Sequence, residues 1–342
     1  MRDDPILTIA IPTFNRQLLL ENTLASLMDF RDTADVEVLV VDNCSTDGTW
    51  EWLCRKRNDL GLTIRRNHVN LGIEGNIIQA LLYAKGDYVW LLSDHMCIDV
   101  KEAKTFLSYL REGMEFTFGY ARISQNFSVL PKTYTPFSIG KIDQCSLGEL
   151  IFYVGNISAF VVNRTFLHEC FRTIFRFSFF SYPHLGVFVH ANESSSFIEL
   201  PSVSSFIVDR GQPKRISYDT FRSRFIGFVR AVGEIRRLNP NFKNINKALN
   251  TRRLLGALVE DSISVLCFEK ARPIKPSEFA FCLWHYPGMI KVFLLACLGL
   301  SALPHKLRIA FSKAFFRTLT PMRFKKAEKN SGCRFTKEII IE

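Results

Sequence analysis

The sequence lacks the cysteine pairs of a disulfide scaffold and of a zinc or redox site. It has nine cysteines in 342 residues, an odd number, and no two of them form a C-x-x-C pair. This usage favours a reduced chain, as in the cytosol. With 47% apolar and 23% charged residues, the composition also excludes a disordered chain and a collagen-like repeat. The length allows a large core, in one large domain or in two smaller ones.

Long apolar runs are absent as well. The longest uncharged run in the apolar stretch 279–304 is 292–304, whose 13 residues are fewer than the roughly 20 that cross a bilayer. The first residues lead into a β-type run rather than into a helical apolar segment with a cleavage site. We therefore expect neither a transmembrane helix nor a signal peptide, and a re-entrant hairpin over 279–304 stays open as an alternative.

Acidic residues are scarce in the C-terminal part. Residues 1–150 carry 15 Lys and Arg against 20 Asp and Glu, whereas residues 151–342 carry 29 against 13. Seven cations between residues 306 and 326 have no acid among them and alternate with phenylalanines. An apolar segment followed by a basic stripe predicts a helix that lies in the interface of an anionic membrane. The alternative is an ordinary amphipathic helix with solvated cations. No nucleic-acid-binding motif is present, so we expect no nucleic acid partner.

Strands and helices alternate in the N-terminal part. Short β-branched apolar runs predict the strands, and apolar residues at helical spacing predict the helices. This alternation is typical of βαβ units in a parallel sheet, whose ligands bind at the carboxyl ends of the strands. The predicted strands are 6–11, 36–41, 62–66 and 88–92, and the predicted helices are 18–28, 49–56 and 76–84.

Glycine-rich phosphate loops are missing from the strand ends. Neither G-x-G-x-x-G nor G-x-x-x-x-G-K-[ST] occurs, so side chains would have to hold a nucleotide. Phe14 offers a face for a base, and Asp42 offers an acceptor for base or ribose donors. Asp94 offers a carboxylate for ribose or for a metal that bridges phosphates. We expect these three side chains to converge in one cleft.

Three segments resemble a known family in their order and spacing. They read TIAIPTFNR, VEVLVVDNCSTDGT and NLGIEGNIIQALLYAKGDYVWLLSDHM. They are similar to the nucleotide-sugar half of glycosyltransferase family 2, which has the GT-A fold, over about residues 6–100. The resemblance implies transfer of a sugar from a nucleotide diphosphate donor to an acceptor hydroxyl. The segment GDYVWLLSD and the C-terminal part resemble abequosyltransferase-like enzymes that decorate bacterial surface polysaccharide.

The resemblance implies roles for residues at four strand ends. The first loop contacts the nucleotide, with Phe14 stacked on the base, and Asp42 reads the base. An Asn-x-Gly turn and the helix that follows border the donor pocket. Asp94 and His95 fall on the D-x-D element of the family. The residues predicted to bind the donor are Pro12, Thr13, Phe14, Asn15, Arg16, Asp42, Asn43, Asn70, Gly72, Asn76 and Ser93.

The sequence departs from the family at the metal-binding element. Where the family has two or three carboxylates, residues 93–96 read Ser-Asp-His-Met. One acid and one imidazole make a poor Mg²⁺ site, whereas Mn²⁺ accepts an imidazole more readily. Two versions stay open: a manganese-tolerant site at Asp94 and His95, or a site in which protein cations neutralise the diphosphate. For the second version, the turn-rich segment 209–215 with Arg210 is the candidate.

A general base must take the acceptor proton in a single-displacement reaction. The family supplies a carboxylate downstream of the middle strand, and the corresponding stretch here has no acidic pair. His184 and Glu193 are the candidates for active-site roles in that stretch. Together with Asp94 they form the predicted catalytic set.

The sequence thus predicts an α/β protein with a GT-A, Rossmann-like sheet and a helical, basic amphipathic C-terminal region. The catalytic domain is predicted at 1–215, with a nucleotide-sugar half at 1–125 and an acceptor half at 126–215. The C-terminal region is predicted at 216–342, with helices at 217–238 and 245–270.

The predicted activity is sugar transfer at the inner, cytoplasmic face of a bacterial membrane. The expected partners are a nucleotide diphosphate sugar, a lipid-linked or surface glycan acceptor and an anionic membrane surface. A catalytically inactive, membrane-associated nucleotide-sugar-binding protein stays open, because the acid pair is missing and His95 follows Asp94. A nucleotidyltransferase also stays open, although residues 11–16 lack the glycine-rich phosphate loop with which such enzymes usually begin.

Overall fold

The computed structural model describes most of the N-terminal two thirds of the chain and parts of the remainder. Its described residues are 4–30, 33–124, 135–138, 155–205, 226–242 and 305–319, with 277, 280, 295–297, 299–300 and 303. The chain divides into two compact units, residues 1–207 with 235–243, and residues 208–234 with 244–342. The predicted boundary after residue 215 lies outside the described residues. The predicted helix 245–270 and the segment 209–215 with Arg210 lie outside them too.

Four parallel strands form the N-terminal side of the sheet. β1 (Leu7–Thr13), β2 (Val36–Asp42) and β4 (Tyr88–Leu91) are buried at every residue, which is why they read as continuous apolar runs. β3 (Leu62–Arg66) is the edge strand and is more exposed. The strands pair in the order β3-β2-β1-β4. The four predicted strands and their parallel βαβ arrangement are confirmed.

Further strands extend the sheet beyond β4. β8 (Phe160–Asn163) pairs antiparallel with β4, and β6 (Phe118–Ser124) pairs antiparallel with β8. β9 (Ser196–Ser205) runs parallel to β6. β5 (Met96–Ile98) and the two-residue β7 (Phe137–Ser138) both pair antiparallel with β9. The path through the sheet is therefore β3-β2-β1-β4-β8-β6-β9-β5, with β7 beside β9.

Helices connect the parallel strands. α1 (Gln17–Ala25), α2 (Thr49–Lys56) and α3 (Gly72–Tyr83) follow β1, β2 and β3 in turn. α2 has the predicted bounds, whereas α3 begins four residues before the predicted start at 76. Its first residue donates its N–H to the Asn70 side-chain oxygen at 2.9 Å, an interaction that apolar periodicity does not encode.

The remaining helices lie after the parallel strands. α4 (Val100–Arg111) has Asp99 as its N-cap, and the Asp99 carboxylate accepts the N–H of Glu102 at 3.0 Å. α7 (Phe228–Leu238) covers the last part of the predicted helix 217–238, whose first residues lie outside the described ones. In the described part of the chain, no helix combines the length and the hydropathy that a membrane span requires. The other α-helices are α5 (Arg164–Glu169), α6 (Phe171–Ser178), α7 (Phe228–Leu238) and α8 (His305–Leu319), and the 3₁₀ helices are Met28–Phe30, Ile157–Ala159, Pro183–Val189 and Pro240–Phe242.

A buried aromatic residue joins the parallel and antiparallel parts of the sheet. Trp90 in β4 is fully buried, and its indole N–H donates to the carbonyl of Ser158 at 2.9 Å. The Ser158 hydroxyl in turn accepts the N–H of Ser93 at 2.9 Å. The core thus holds the end of β4 against the 3₁₀ helix that precedes β8, which positions the residues that follow β4.

Candidate active site

The carboxyl ends of β1, β2 and β4 meet at one edge of the sheet. Thr13, the last residue of β1, is the register partner of Asp42, the last residue of β2. The Thr13 hydroxyl donates to Oδ2 of Asp94 at 3.0 Å. Phe14 follows directly and is half-buried. The structure therefore brings Phe14, Asp42 and Asp94 together around Thr13, at the edge where parallel sheets bind their ligands.

Asp94 is a buried carboxylate with three side-chain partners. Its Oδ2 accepts from Thr13, and its Oδ1 lies 3.0 Å from Nη1 of Arg16 and 3.3 Å from Nδ1 of His95. Burial by itself raises the pKa of Asp94, but the hydrogen bond from His95 and the positive charge of Arg16 outweigh this effect. The net pKa lies below the ordinary Asp value, so Asp94 carries a negative charge at neutral pH.

Asp42 is fully buried and engaged within its own loop. Its carboxylate accepts the N–H of Ser45 at 3.1 Å and lies 3.3 Å from Nε of Arg66. The Arg66 guanidinium also donates to the Ser45 carbonyl at 2.9 Å and stacks over the Trp50 ring at 5.4 Å. Burial raises the pKa of Asp42 despite these contacts. The carboxylate thus shapes the β2–α2 loop, and base recognition by Asp42 stays a prediction.

Asparagine side chains hold three strand ends in register. The Asn43 amide donates to Oδ1 of Asn70 at 2.8 Å and to the carbonyl of Gly72 at 3.0 Å. The Asn76 amide donates to the carbonyls of Thr13 and Val41 at 3.2 and 3.1 Å. The predicted donor-binding residues Asn43, Asn70, Gly72 and Asn76 therefore lie together. Their side chains form hydrogen bonds with the backbone and with other asparagine side chains, which makes these residues a scaffold for the site.

Sequence reasoning missed one member of this scaffold. The Asn67 amide donates to Oδ1 of Asn43 and to Oδ1 of Asn76, both at 2.9 Å, and Asn67 is buried. Asn67 follows β3 directly, so the rule that polar residues at strand ends carry the site would have found it.

We expect Asn76→Ala to destabilise the fold. The substitution removes two hydrogen bonds to backbone carbonyls and leaves the Asn67 amide without one of its acceptors. The expected loss in the free energy of unfolding is about 1–3 kcal/mol, measured by urea denaturation. Asn22→Ala is the control, because the Asn22 amide donates to the Leu18 carbonyl on the exposed side of α1. Equal losses for the two variants would contradict the role assigned to Asn76.

The β1–α1 loop is tied to the β2–α2 loop. Asn15 has a left-handed backbone with φ 51°, which asparagine tolerates better than most residues. Its N–H donates to the Ser45 hydroxyl at 2.9 Å, and its side-chain oxygen accepts the N–H of Thr46 at 2.7 Å. Asn15 is thus occupied in shaping the loop. Pro12 is buried within β1, and Ser93 is half-buried and held through its backbone N–H.

The two candidate bases lie apart from these contacts. His184 is 1% exposed in the 3₁₀ helix Pro183–Val189, and its ring lies 5.5 Å from the Phe160 ring. Glu193 is exposed in a turn closed by Asn192 and Ser195. Neither residue contacts Asp94 within the described residues. Their predicted catalytic roles therefore stay predictions.

The donor set at Asp94 does not fit a divalent metal well. Within the described residues, no group of three or more His, Cys, Asp and Glu side chains could hold an ion. Met96 is 2% exposed and packs in the core, so the D-x-D element supplies no second carboxylate. Both oxygens of Asp94 already accept hydrogen bonds, one of them from the guanidinium of Arg16. These side chains offer Mg²⁺ one carboxylate, the low end of the one or two with which proteins usually hold this ion together with substrate phosphates.

The comparison with protein families decides which family the chain belongs to. The family model described as Glycosyl transferase family 2 matches residues 8–180, a span that contains β1 to β4 and all the contacts of Asp94. The chain belongs to glycosyltransferase family 2. The resemblance in the three N-terminal segments is thereby confirmed.

Individual relatives match shorter parts of this family 2 chain. Abequosyltransferase RfbV of Salmonella typhimurium is 39% identical over 89 residues, which are 25% of this chain and 27% of that protein. Poly(ribitol-phosphate) beta-N-acetylglucosaminyltransferase TarS of Staphylococcus aureus is 32% identical over 110 residues, 31% of this chain and 19% of TarS. The chain thus matches less than a third of the length of each of these relatives.

Solved structures match the fold over most of the chain. TarS 1-349 in complex with UDP-GlcNAc has a TM-score of 0.57 at 15% identity, covering 94% of this chain and 90% of that one. Mannosyltransferase PcManGT from Pyrobaculum calidifontis, in complex with GDP-Man and Mn²⁺, has a TM-score of 0.51 at 14% identity, covering 98% and 86%. The predicted GT-A fold is confirmed.

Proposed function

We propose that this family 2 chain transfers a sugar from a nucleotide diphosphate sugar to an acceptor hydroxyl. The observation that carries the proposal is the cluster around Thr13, in which β1 holds Asp94 by a hydrogen bond and pairs with Asp42. This cluster lies at the carboxyl ends of parallel strands, where ligands bind in open α/β sheets. A charged carboxylate, a half-exposed arginine and an aromatic residue there suit a ribose, a diphosphate and a base.

The residues of this cluster suit different parts of the donor. Phe14 offers a ring face to the base, and the Asp94 carboxylate accepts hydrogen bonds from ribose or sugar hydroxyls. In the transfer step, the acceptor oxygen bonds to the anomeric carbon, and the bond from that carbon to the diphosphate oxygen breaks. The bonding electrons leave with the diphosphate, and a general base takes the acceptor proton. His184 and Glu193 are the predicted bases.

The comparisons support a nucleotide sugar as donor. One neighbour of the same fold was solved with UDP-GlcNAc and another with GDP-Man and Mn²⁺. The two neighbours differ in the base, so both uridine and guanosine donors belong in any test. Because a metal accompanies one of these neighbours, Mn²⁺ at Asp94 and His95 stays a prediction that the same test must include.

A panel of nucleotides tests the proposed function. Thermal unfolding of the wild type is measured with nucleoside diphosphates and nucleotide sugars of each base, with and without Mn²⁺. We expect one nucleotide class to raise the unfolding temperature by several degrees, since a ligand at 100 times its Kd adds about 2.7 kcal/mol of stability. A wild type that responds to no member of the panel would contradict a donor site.

A catalytically inactive nucleotide-sugar-binding protein is the second candidate. The observation that favours it is the D-x-D element, where a histidine and a buried methionine follow Asp94. The two candidates differ in turnover. The transferase releases nucleoside diphosphate from its donor, whereas the binding protein binds the donor and leaves it unchanged. The nucleotidyltransferase alternative has no such observation in its favour.

We also propose that α8 lies in an anionic membrane interface on the cytoplasmic side. Leu307 and Phe311 are one turn apart and are 50% and 57% exposed, which leaves an apolar stripe open to solvent. The sequence of α8 holds four Lys and Arg and no acid. An apolar stripe on a basic helix suits anionic lipid headgroups. The TarS relative is named for poly(ribitol-phosphate), which supports a polymer as acceptor.

A further inference from the structure

We propose that this donor site works without a divalent metal ion and that Arg16 supplies the positive charge beside the diphosphate. The inference rests on the proposed function, because it concerns the charge that develops when the diphosphate leaves. In family 2, carboxylates after the fourth strand imply a bound metal ion. Whether a metal ion fits this chain depends on the side chains that it has at that position.

Other acids that follow strands of the sheet have contacts of their own. Asp42 is fully buried against Ser45 and Arg66. Asp47 accepts the N–H of Thr49 at the start of α2, and Asp99 caps α4. Asp94 is thus the one carboxylate of the described residues that borders Arg16 and His95 at the strand ends. A single carboxylate is the low end of the one or two with which proteins hold a phosphate-bound Mg²⁺, and Asp94 already has three side-chain partners.

The guanidinium of Arg16 already occupies a cation position beside the Asp94 carboxylate. Its Nη1 lies 3.0 Å from Oδ1 of Asp94, the same oxygen that faces His95. A divalent ion bound to this oxygen would lie close to the guanidinium, and like charges repel strongly in a partly buried site. Asp94 therefore serves Arg16 as a counterion and orients it.

Arg16 can hold a phosphate while it remains paired. A guanidinium has five N–H donors in a planar fork, and the contact with Asp94 uses Nη1. The side chain is 30% exposed, so part of it faces solvent at the strand ends. Charge-assisted hydrogen bonds from this fork to diphosphate oxygens would stabilise the negative charge that forms when the bond to the anomeric carbon breaks. Arg16 thus takes the charge-neutralising role that a metal would otherwise have.

Calorimetric titration with the nucleoside diphosphate that stabilises the wild type tests this inference. We expect its affinity in EDTA to lie within about threefold of its affinity in Mn²⁺ or Mg²⁺, since a fixed guanidinium needs no ion. Arg16→Gln should lower the affinity for the diphosphate at least about tenfold and that for the matching nucleoside less than about threefold. Arg16→Lys should recover part of the loss. Arg111→Gln is the control, because Arg111 pairs with Asp35 on the surface.

Each outcome of the titration decides between the proposals. If EDTA abolishes binding and Mn²⁺ restores it, or if Arg16→Gln binds the diphosphate like the wild type, the metal-free role of Arg16 is overturned and the proposed function stands. If the wild type binds no nucleotide with or without metal, both proposals fall. Nucleoside binding by Arg16→Gln shows that the variant is folded, so that a loss confined to the diphosphate supports the inference.

Discussion

Asp94→Asn is expected to lower the release of nucleoside diphosphate from the donor sugar by about 10²- to 10³-fold. The substitution keeps the size of the side chain and an acceptor for Thr13, but it removes the charge that orients Arg16 and His95. Without this charge, the guanidinium loses its fixed position, and the hydroxyls of the donor lose a charged acceptor. Release of nucleoside diphosphate is measured with the donor that the panel identifies, so no acceptor has to be known.

A second expectation concerns binding by the same variant. The increase in unfolding temperature that the nucleotide causes should disappear in Asp94→Ala and be strongly reduced in Asp94→Asn. Asp29→Asn is the matched control, because Asp29 forms an exposed ion pair with Lys104 and lies outside the strand-end cluster. Exposed pairs contribute about 0–1 kcal/mol, so the control should keep its stability, its nucleotide binding and its turnover. An Asp94→Asn enzyme with wild-type turnover would contradict the role of Asp94.

Charge reversal on α8 is expected to remove binding to anionic vesicles. The variant replaces the four cations of this helix by glutamate, and each cation near a membrane surface contributes about 1 kcal/mol, so the affinity should fall at least about 10³-fold. The measurement is cosedimentation with vesicles of phosphatidylcholine and phosphatidylglycerol. The positions are Lys306, Arg308, Lys313 and Arg317.

A control variant with the same change in net charge distinguishes a specific contribution of α8 to vesicle binding from a general effect of charge. Glutamate at four exposed cations of the first unit changes the total charge by the same amount, and vesicle binding should persist. The control positions are Arg55, Lys56, Arg57 and Lys101. Equal loss in both variants would show a nonspecific charge effect and contradict the assignment to α8. Substituting Leu307 and Phe311 by serine should weaken binding through the apolar stripe alone.

The parallel part of the fold could be predicted because its signals are local. β1, β2 and β4 are buried on both faces, so each reads as an unbroken apolar run that ends in a polar residue. The order of βαβ units then implies that their carboxyl ends meet. The meeting of Thr13, Asp42 and Asp94 at one edge follows from this topology.

The rest of the sheet depends on pairings between distant segments. β5 has three residues and is stabilised by pairing with β9, about a hundred residues away along the chain. Such a short segment has no periodicity of its own, so no local pattern predicts it. The antiparallel strand β8 is likewise defined by its contacts with β4 and β6.

Side-chain partners were harder to predict than positions. The sequence predicts that Arg16 lies in a loop and contacts the nucleotide, but it does not predict the ion pair with Asp94, which joins residues 78 positions apart. Asp42 was correctly located at the strand end, yet the structure surrounds its carboxylate with Ser45 and Arg66. Sequence spacing locates a residue at an edge of the sheet, whereas burial and partner choice follow from packing among several loops.

Hydrogen exchange with and without the stabilising nucleotide tests the central claim most directly. If the donor binds at the strand ends, added nucleotide slows exchange in the loops that follow β1 and β4, at residues 14–17 and 93–95. The exposed surface of α4 serves as an internal reference and should exchange at an unchanged rate. Protection confined to segments away from these loops, with the strand ends unchanged, would contradict a donor site built around Thr13 and Asp94.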